Sequence, residues 1–263
     1  MDKASKTYKK STGVVTTDSL LGATPSAFSA HSTNRNDGAT IFSTQVASGV
    51  NLLCGSVDSY CTSRKSTIQS NGYRYCDDPS KLESTMSADK TYWQLDLAWA
   101  TAKVELCDVA VHAMNYLDQD NDGFVLMIEQ AHIDKYSHSN DFDGMVKSVK
   151  SLNDTVEAVL EWIGDRTDTA VLITSDHETG RLNVSPESFF NKRYTSTLKD
   201  GVDKIYYNWS SDGRTNSKVV LFVYGIDIDF SKYDYYSSEH IIKNTDVHRI
   251  MVDVLENPTL YCN

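Results

Sequence analysis

Carboxylate and imidazole side chains in one stretch of this sequence are spaced as ligands of a metal ion would be. The stretch reads GFVLMIEQAHIDKYSH (residues 123–138), and Glu129, Asp134 and His138 follow its apolar run. Carboxylate and imidazole ligands together suit zinc first among the metals that proteins use. Each residue also has an ordinary explanation, with Asp134 as a helix cap and His138 as a surface residue.

A second stretch repeats this arrangement. The apolar run AVLIT (residues 170–174) is followed by Asp176 and His177. Taken alone, this pair fits an ordinary loop equally well. Because two carboxylate–imidazole sets follow two apolar runs, the sequence favours a metal site over two unrelated loops.

The apolar runs predict the elements that position these ligands. Residues 124–128 and 170–174 show no polar alternation, which is typical of strands covered on both faces in a parallel sheet flanked by helices. Between them, apolar residues recur at three- and four-residue steps over residues 145–163 and predict an amphipathic helix. The three segments predict a βαβ unit with a right-handed crossover. Ligands that follow such strands gather in the crevice at their carboxyl ends.

The rest of the chain completes an α/β pattern. We predict strands at residues 13–17, 51–54 and 219–224, the end of a helix at 2–10, and helices at 25–34, 39–50, 95–117 and 245–255. Thr24 precedes Pro25 and is predicted to cap a helix. Two polar segments, 54–92 and 181–217, are expected to be irregular excursions over the active face. No linker divides the chain, so we predict a single domain over residues 1–263.

Composition argues against some classes of protein. The chain has 263 residues, a formal net charge of -11 and a pI near 5.0. Binding to a phosphate backbone needs clustered Lys and Arg, so nucleic acid is not expected to be a partner. The N-terminal segment MDKASKTYKKSTG lacks the apolar core of a signal peptide, and no apolar run is long enough to span a membrane. Localisation stays open.

The five cysteines lie at irregular spacing. They form no CxxC pair and do not indicate a metal cluster. Cys54, Cys61 and Cys76 are close enough in sequence for one disulfide in an oxidising compartment. Buried thiols are the alternative interpretation.

Several motifs, in order along the chain, resemble those of the alkaline phosphatases. GVVTTDSLLGATPSAFSAHSTNR is similar to the family's strand–loop–helix with an ATP-A-xx-AH core, and GFVLMIEQAHIDKYSH to its FLMVEG…ID…H block. LITSDHETGRL resembles its TADHETGGL block, and KVVLFVYG and NTDVHRIM resemble its closing strand and helix. The resemblance implies an α/β fold, an alkaline phosphatase-like three-layer sandwich. Its mostly parallel central sheet would be flanked by helices and truncated at the N-terminus.

The resemblance also implies zinc ligands. Asp134 and His138 match two ligands of the family's first zinc, and Asp176 and His177 match two ligands of its second zinc. In the family, a serine on the second zinc attacks the phosphorus of a phosphomonoester. The first zinc stabilises the leaving oxygen and then activates water.

Magnesium and phosphate ligands follow from the same resemblance. Thr24 and Glu129 match magnesium ligands, and Arg35 matches the arginine that grips the substrate phosphate. Gly22 stands where the family carries His or Asp near magnesium. This departure is mild because Mg²⁺ usually keeps several waters.

The nucleophilic serine of the family has no counterpart in this chain. It lies in a DSA-type motif upstream of the strand that opens the chain, so we expect the segment that carries it to be missing. Asp18 and Ser19 superficially mimic the motif. The flanking GVVTT and GATPSAF instead match a later strand of the family, which makes Ser19 a poor candidate for the nucleophile.

A second departure concerns the first zinc. The family supplies a further histidine from a GHT segment, where this chain has Gly213, Arg214 and Thr215. Arginine presents no lone pair to a metal. Two ligands are fewer than the three protein ligands of a typical catalytic zinc.

The sequence therefore predicts alkaline phosphatase-type hydrolysis of phosphate monoesters by a two-zinc plus magnesium centre, with little turnover by this chain alone. The alternative is a non-catalytic zinc- or phosphate-binding paralogue. Membership of the wider phosphatase–sulfatase–mutase group is a weaker alternative. Residues 13–17 are predicted to form an inner strand of the sheet, and the elements that precede this strand in the family are expected to be missing. Their absence would leave part of the sheet uncovered, so we expect a homodimer or a partner that covers the gap.

Overall fold

The structure, a computed structural model, describes residues 1–97, 104–185, 192–194, 205–225, 228–233 and 241–256. The chain forms two compact units. Unit 1 comprises Met1–Tyr136 and Asp141–Trp162, and unit 2 comprises Ser137–Asn140 and Ile163–Asn263. The expectation of one domain over the whole chain stays a prediction.

A five-stranded parallel sheet forms the centre of unit 1. Its strands are β1 (Ser11–Thr16), β2 (Leu52–Ser56), β3 (Arg74–Cys76), β4 (Thr91–Leu95) and β5 (Phe124–Glu129). Their spatial order is β3-β4-β2-β1-β5, and each neighbouring pair is parallel. The predicted α/β fold with a parallel central sheet is therefore confirmed, and β1 is an inner strand as expected.

Helices cover both faces of this sheet. They are α1 (Asp2–Tyr8), α2 (Ala23–Ser29), α3 (Gly38–Ala47), α4 (Ser59–Thr62), α5 (Lys65–Ser70), α6 (Leu106–Leu117), α7 (His132–His138) and α8 (Phe142–Ile163), with a 3-10 helix at Pro79–Thr85. Successive strand residues point to opposite faces. Val15 and Trp93 are fully buried on the face that α6 covers, and Val14 and Tyr92 are fully buried on the other face with residues of α3 and α5.

Gly13 lets α6 approach the sheet closely. A Cβ atom at Gly13 would lie 2.7 Å from Leu117 Cδ1 and 3.0 Å from Leu126 Cδ1. Leu117 ends α6, and Leu126 pairs with Gly13 across β1 and β5. The absence of a side chain at Gly13 therefore leaves the space that the ends of the Leu117 and Leu126 side chains occupy.

Unit 2 is built from short antiparallel pairs. Its elements are β6 (Val171–Ile173), β7 (Glu178–Thr179), β8 (Leu182–Ser185), β9 (Lys192–Tyr194), β10 (Ile205–Trp209), β11 (Arg214–Thr215), β12 (Phe222–Tyr224), a 3-10 helix at Phe230–Lys232, and α9 (Asn244–Glu256). β6 pairs with β12, β7 pairs with β11, and β10 pairs with both β8 and β9. In α9, buried Asp246 accepts from Arg249 Nη1 at 2.7 Å.

The prediction of an irregular excursion over residues 54–92 is wrong. The segment contains α4, α5, β3 and the start of β4, and two of these are strands of the central sheet. Gln94 in β4 is a polar residue of the core: its side chain is 2% exposed, and its polar atoms are hydrogen-bonded. Its Oε1 accepts from Thr62 at 3.0 Å and from Tyr75 at 2.9 Å, and its Nε2 donates to Asp58 O at 3.2 Å. These partners are distant in sequence, so local pattern could not reveal them.

Several predicted boundaries also change. The helix predicted over residues 25–34 is α2, which ends at Ser29, and its N-cap is Gly22 rather than Thr24. The helix predicted over residues 95–117 begins only at Leu106, because Leu95 belongs to β4. Residues 98–103 of that prediction lie outside the described residues. Amphipathic helix α8 is found where it was predicted.

β5 is covered on both faces as predicted, because Phe124, Leu126 and Ile128 pack against the cluster on the α6 face and Met127 packs against the cluster on the other face. The prediction that β5 and β6 are fully buried is wrong. Every residue of β5 is partly exposed, because β5 lies at one edge of the described five-stranded sheet. β6 is three residues long and partly exposed, and it pairs antiparallel with β12. Among the described strands, β5 and β6 do not pair with each other and belong to different sheets, so the predicted parallel βαβ unit is not observed there. β12 was also predicted to be buried, but Phe222 is 62% exposed.

Part of the second predicted excursion, residues 181–217, lies outside the described residues, namely 186–191 and 195–204. The described part contains β8 to β11. Within the part of the chain that the structure describes, helices are too short or too polar to cross a membrane. Cys54, Cys61 and Cys76 are buried free thiols, so the suggested disulfide among them is not formed.

Candidate functional site

The carboxyl ends of β1 and β5 form a polar edge in unit 1. The strand order reverses between them, because β1 leads to β2 on one side and β5 returns to the other side of β1. Ligands of open α/β sheets bind in the crevice at such a reversal. Thr16 ends β1 and donates its hydroxyl to Glu129 Oε2 at 2.6 Å. Glu129, predicted as a magnesium ligand, thus lies at the edge where a site is expected.

Thr17 attaches the segment after β5 to the end of β1. Its hydroxyl oxygen lies 2.9 Å from Gln130 Oε1 and 3.1 Å from His132 Nδ1, and it accepts from Ala131 N at 3.0 Å. Burial lowers the pKa of His132, so the imidazole favours its neutral form. Sequence reasoning missed this cluster, although two hydroxyl side chains at a strand end were a visible signal.

A short ion pair lies beside predicted ligand Asp134. Lys135 Nζ is 2.6 Å from Asp18 Oδ1, and the Asp18 side chain is 29% exposed. Asp134 precedes Lys135 in the first turn of α7, where the helix dipole favours a carboxylate. The pair therefore joins the loop after β1 to α7, the helix that carries Asp134.

Gly22 and Thr24 lie at the start of α2, which packs against β1 and β5. A Cβ atom at Gly22 would lie 3.1 Å from Ser19 O and 3.5 Å from Asp18 Oδ2. A larger residue at this position would therefore meet Asp18. Thr24 lies within α2, so it belongs to the same end of unit 1 as Glu129.

Ser19 is held by structural hydrogen bonds. Its hydroxyl donates to Asp58 Oδ2 in a very short contact, and the same oxygen accepts from Leu21 N at 3.1 Å. Asp58 also caps α4 by accepting from Cys61 N at 3.0 Å. Ser19 therefore joins the loop after β1 to α4.

Arg35 lies in an exposed turn between α2 and α3. The sequence predicted it at or just beyond a helix end, but α2 ends six residues earlier at Ser29. Arg35 is therefore carried by a turn rather than by a helix.

In unit 2, β7 and β11 place Arg214 opposite Thr179, the residue that contacts predicted ligand His177. Arg214 pairs with Thr179, and Thr179 Oγ1 lies 3.1 Å from His177 Nδ1. His177 Nε2 is 3.2 Å from Asp176 Oδ2. The Asp176 side chain is 74% exposed, whereas that of His177 is 19% exposed.

His138, also in unit 2, is oriented by a backbone carbonyl. Its Nδ1 lies 2.5 Å from Asp212 O. A carbonyl oxygen only accepts, so Nδ1 carries the hydrogen and the lone pair of the neutral ring lies on Nε2. Many histidine ligands of metals are oriented in this way. Asp212 lies two residues before Arg214, so His138 belongs to the same neighbourhood.

Glu178 is a structural residue that sequence reasoning did not single out. Its Oε1 accepts from Arg181 N at 2.7 Å, and its Oε2 accepts from the Thr215 hydroxyl in a very short contact. Both carboxylate oxygens thus hold the β7–β11 pair. Glu178 belongs to the DHETG motif, but its cross-strand partner Thr215 is 37 positions away in sequence.

The described residues do not fit a complete two-zinc centre. Among residues 1–97, 104–185 and the later described segments, no three His, Cys, Asp or Glu side chains are grouped as a metal ion would require. Arg214 stands where a third zinc ligand is expected, and it has no lone pair. No reaction step is therefore assigned to zinc in this chain.

The predicted site residues are divided between the two units. Glu129, Thr24, Gly22 and Asp134 belong to unit 1, with Ser19 and Arg35 in its loops, and His138, Asp176, His177 and Arg214 belong to unit 2. Asp134 and His138, the two predicted ligands of one zinc, lie one helical turn apart on α7, with Asp134 assigned to unit 1 and His138 to unit 2.

These features define an α/β protein with a polar site at the carboxyl ends of its central parallel strands. Over residues 62–224 the chain matches the profile of the family described as alkaline phosphatase. This match takes in more than half of the chain. The chain belongs to the alkaline phosphatase family.

Curated relatives agree with this assignment. Alkaline phosphatase 4 of Bacillus subtilis is 28% identical over 197 residues, which are 68% of this chain and 42% of the relative. Alkaline phosphatase 3 of the same organism is 26% identical over 206 residues, 72% of this chain and 44% of the relative. The repressible alkaline phosphatase of Saccharomyces cerevisiae is 27% identical over 219 residues, 66% of this chain and 39% of the relative. The chain spans about two-fifths of the length of these relatives.

Solved structures show the same fold. The alkaline phosphatase of the Antarctic bacterium TAB5 superposes with a TM-score of 0.72 at 24% identity, covering 86% of this chain and 68% of that chain. The cold-active enzyme of a Shewanella species gives a TM-score of 0.74 at 20% identity, covering 85% of this chain and 72% of that chain.

Proposed function

We propose that the protein hydrolyses phosphate monoesters as alkaline phosphatases do, and that this chain alone has little turnover. Family membership supports the reaction class. The observation that carries the proposal is the polar edge at the strand reversal, where Thr16 holds Glu129 at 2.6 Å. That edge is where an α/β sheet of this topology builds its site.

The proposal includes metal ligands. We assign Mg²⁺ to Glu129 and Thr24, with water molecules completing its coordination, since Mg²⁺ usually keeps several waters. A variant of the TAB5 enzyme is described as having Mg bound in its M3 site, which supports magnesium by analogy.

We also propose zinc binding at two carboxylate–imidazole pairs, Asp134 with His138 and Asp176 with His177. Each pair needs a further ligand to reach the usual number for zinc. Arg35 is proposed to bind the phosphate with its guanidinium fork.

Weak turnover follows from the residues that this chain offers. The Ser19 hydroxyl is engaged by Asp58, and Arg214 cannot ligate zinc. To test this, the purified chain is assayed with a chromogenic phosphomonoester at alkaline pH, with excess zinc and magnesium. We expect at most a trace of turnover.

Ser19→Ala and Glu129→Gln make the assay decisive. Trace activity that persists in Ser19→Ala and falls in Glu129→Gln would support the proposed site. Full family-like activity that survives Ser19→Ala would show that the chain has a nucleophile that this account lacks. Full activity that Ser19→Ala abolishes would make Ser19 the nucleophile, contrary to the proposal.

Arg214 favours a second candidate, a non-catalytic zinc- or phosphate-binding protein. In that case we expect about one tightly held zinc per chain, on Asp176 and His177 with help from water or a neighbour. Metal analysis of the dialysed chain separates the candidates. Two stoichiometric zincs per chain would argue against the binding role.

We further propose a homodimer or a partner that pairs with unit 1. Support comes from β5, whose apolar run is partly exposed at the edge of the described sheet. Exposed strand edges favour pairing with other chains. Size-exclusion chromatography tests this, and a monodisperse monomer with a sharp thermal transition above about 65 °C would contradict it.

A further inference from the structure

The β7–β11 pair presents a cation where the family resemblance implies a zinc ligand. Arg214 is exposed, and its strand partner Thr179 is 8% exposed. Directly paired residues of an antiparallel ladder project from the same face. Arg214 therefore emerges on the face where Thr179 contacts the imidazole of His177.

We propose that Arg214 is an oxyanion-binding residue, which takes the phosphoryl oxygens of a phosphate monoester or of inorganic phosphate beside His177 without a metal ion. The proposal deepens the proposed function, since it names how unit 2 holds the phosphate. Guanidinium is suited to this role because its planar fork donates two parallel hydrogen bonds to a tetrahedral oxyanion.

The charge of Arg214 is available for such a ligand. Among the described residues, the Arg214 guanidinium forms no ion pair and no hydrogen bond, although the Arg214 backbone pairs with Thr179. The adjacent carboxylate, Glu178, projects from the opposite face, where both of its oxygens accept from Arg181 N and Thr215. Glu178 is therefore committed to holding the strands together rather than to neutralising Arg214.

The backbone beneath Arg214 is fixed by Gly180. Gly180 N donates to Gly213 O at 3.0 Å, and Gly180 O accepts from Ser211 N at 3.1 Å. Gly180 has φ +89, and a Cβ atom there would lie 2.5 Å from the Trp209 ring. A rigid support of this kind reduces the ordering that ligand binding requires.

Asp176 sets the strength of this site. Its carboxylate lies 3.2 Å from His177 Nε2 and repels an anion that approaches the same imidazole. We therefore expect weak binding, in the millimolar range. The opposing charges give a sharp test, because removing Arg214 and removing the Asp176 charge should change phosphate affinity in opposite directions.

The experiment measures inorganic phosphate binding to the whole 263-residue chain in EDTA, by calorimetry or phosphorus NMR. We expect Arg214→Ala to raise the Kd about tenfold or more, the loss of one charge-assisted contact. The Kd of the Arg214→Lys variant should lie between that of Arg214→Ala and that of the unmodified chain. Asp176→Asn should lower the Kd.

Arg166→Ala is the matched control. It removes one positive charge from unit 2, but Arg166 is already paired with Asp168 at 3.1 Å. We expect its Kd to stay within about twofold of the unmodified chain. Equal weakening by Arg166→Ala and Arg214→Ala would reduce the effect to net charge and overturn the proposal.

A second variant tests the relation to zinc. Arg214→His supplies a lone pair, so zinc bound per chain should rise while metal-free phosphate binding falls to the level of Arg214→Ala. Phosphate binding in EDTA that is unaffected by Arg214→Ala would overturn the inference. Because this readout needs no turnover, it is separate from the assay of the proposed hydrolysis.

Discussion

Thr16 and Glu129 end two neighbouring parallel strands and share a hydrogen bond of 2.6 Å between the Thr16 hydroxyl and Glu129 Oε2. Thr16 is fully buried, and its oxygen also accepts from Asp18 N at 3.1 Å. One hydroxyl thus orients a predicted magnesium ligand and the first turn of the loop after β1.

Thr16→Val should destabilise the fold by about 1–3 kcal/mol, because a hydrogen bond to a partly buried carboxylate is lost. Thr12→Val is the matched control in the same strand. Thr12 is equally buried, but its hydroxyl lies 3.5 Å from Asn51 Oδ1, so its loss should cost less than about 1 kcal/mol. Urea unfolding measures the free energy of unfolding of both variants. Equal losses of stability would show that the Thr16 hydrogen bond contributes no more than that of Thr12.

The loop that carries Asp18 and Leu20 lies directly on β2. A Cβ atom at Gly55 would lie 2.8 Å from Leu20 Cγ, 3.0 Å from Asp18 O and 3.1 Å from Leu20 N. Two of these atoms belong to the backbone and cannot rotate away. Gly55→Ala should therefore lower the free energy of unfolding by about 1–3 kcal/mol.

Gly38→Ala controls for the chemistry of the Gly55 substitution. A Cβ atom at Gly38, the first residue of α3, would lie 3.5 Å from Leu21 Cδ1, an ordinary contact. Alanine also favours helix, so this variant should be neutral or up to about 1 kcal/mol more stable. A Gly55→Ala variant as stable as Gly38→Ala would show that the loop moves freely over β2.

Alkaline pH should destabilise the chain. Burial raises the pKa of Cys61 to about 12 and that of Tyr116 to about 12. These groups stay protonated in the folded chain, while the unfolded chain releases the thiol proton above about pH 8.5 and the phenol proton above about pH 10. The unfolded state then binds fewer protons, so the free energy of unfolding falls as pH rises.

Cys61→Ala and Tyr116→Phe separate the two contributions. Cys61→Ala should flatten the decline from about pH 8.5, and Tyr116→Phe should flatten it only above about pH 10. For the thiol we expect roughly 3 kcal/mol of lost stability by about pH 10.5. Urea unfolding at a series of pH values gives these slopes. Unchanged slopes in both variants would refute the assignment.

The buried thiols should remain unpaired even in oxidising solution. Cys54 and Cys76 pair with Trp93 from opposite sides, so two strand spacings, about 9.5 Å, separate their backbones. A disulfide needs Cα atoms within about 7 Å. Alkylation after unfolding without reductant should label each cysteine separately, and a peptide that links Cys54 to Cys76 would contradict the sheet register.

The sequence predicted β1 and α8 well because their patterns are local. Five residues of β1 are buried, and α8 has a regular apolar face. β4 was missed because Gln94 breaks its apolar run, and its partners Thr62 and Tyr75 become neighbours only after folding. Burial of β5 was overestimated because pattern alone does not reveal whether a strand lies at an edge.

The predicted site shows the same division. Glu129 and His177 were found from spacing and resemblance, and they lie at a strand end and beside a short strand pair. The contacts that orient them come from Thr16 and Thr179, and the first joins positions 113 residues apart. Arg214 was singled out as a departure from the family, but its pairing with Thr179 required the structure.

Gly13 has a consequence for how this protein can change over evolution. Gly13 leaves space against the sheet for Leu117 of α6. α6 leads through one turn into β5, which ends at Glu129. A methyl group added at Gly13 would displace the ends of Leu117 and Leu126 together, and Leu126 belongs to the strand that carries the carboxylate. Position 13 therefore tolerates few substitutions, because the packing beneath the strand that ends at Glu129 depends on the space left there.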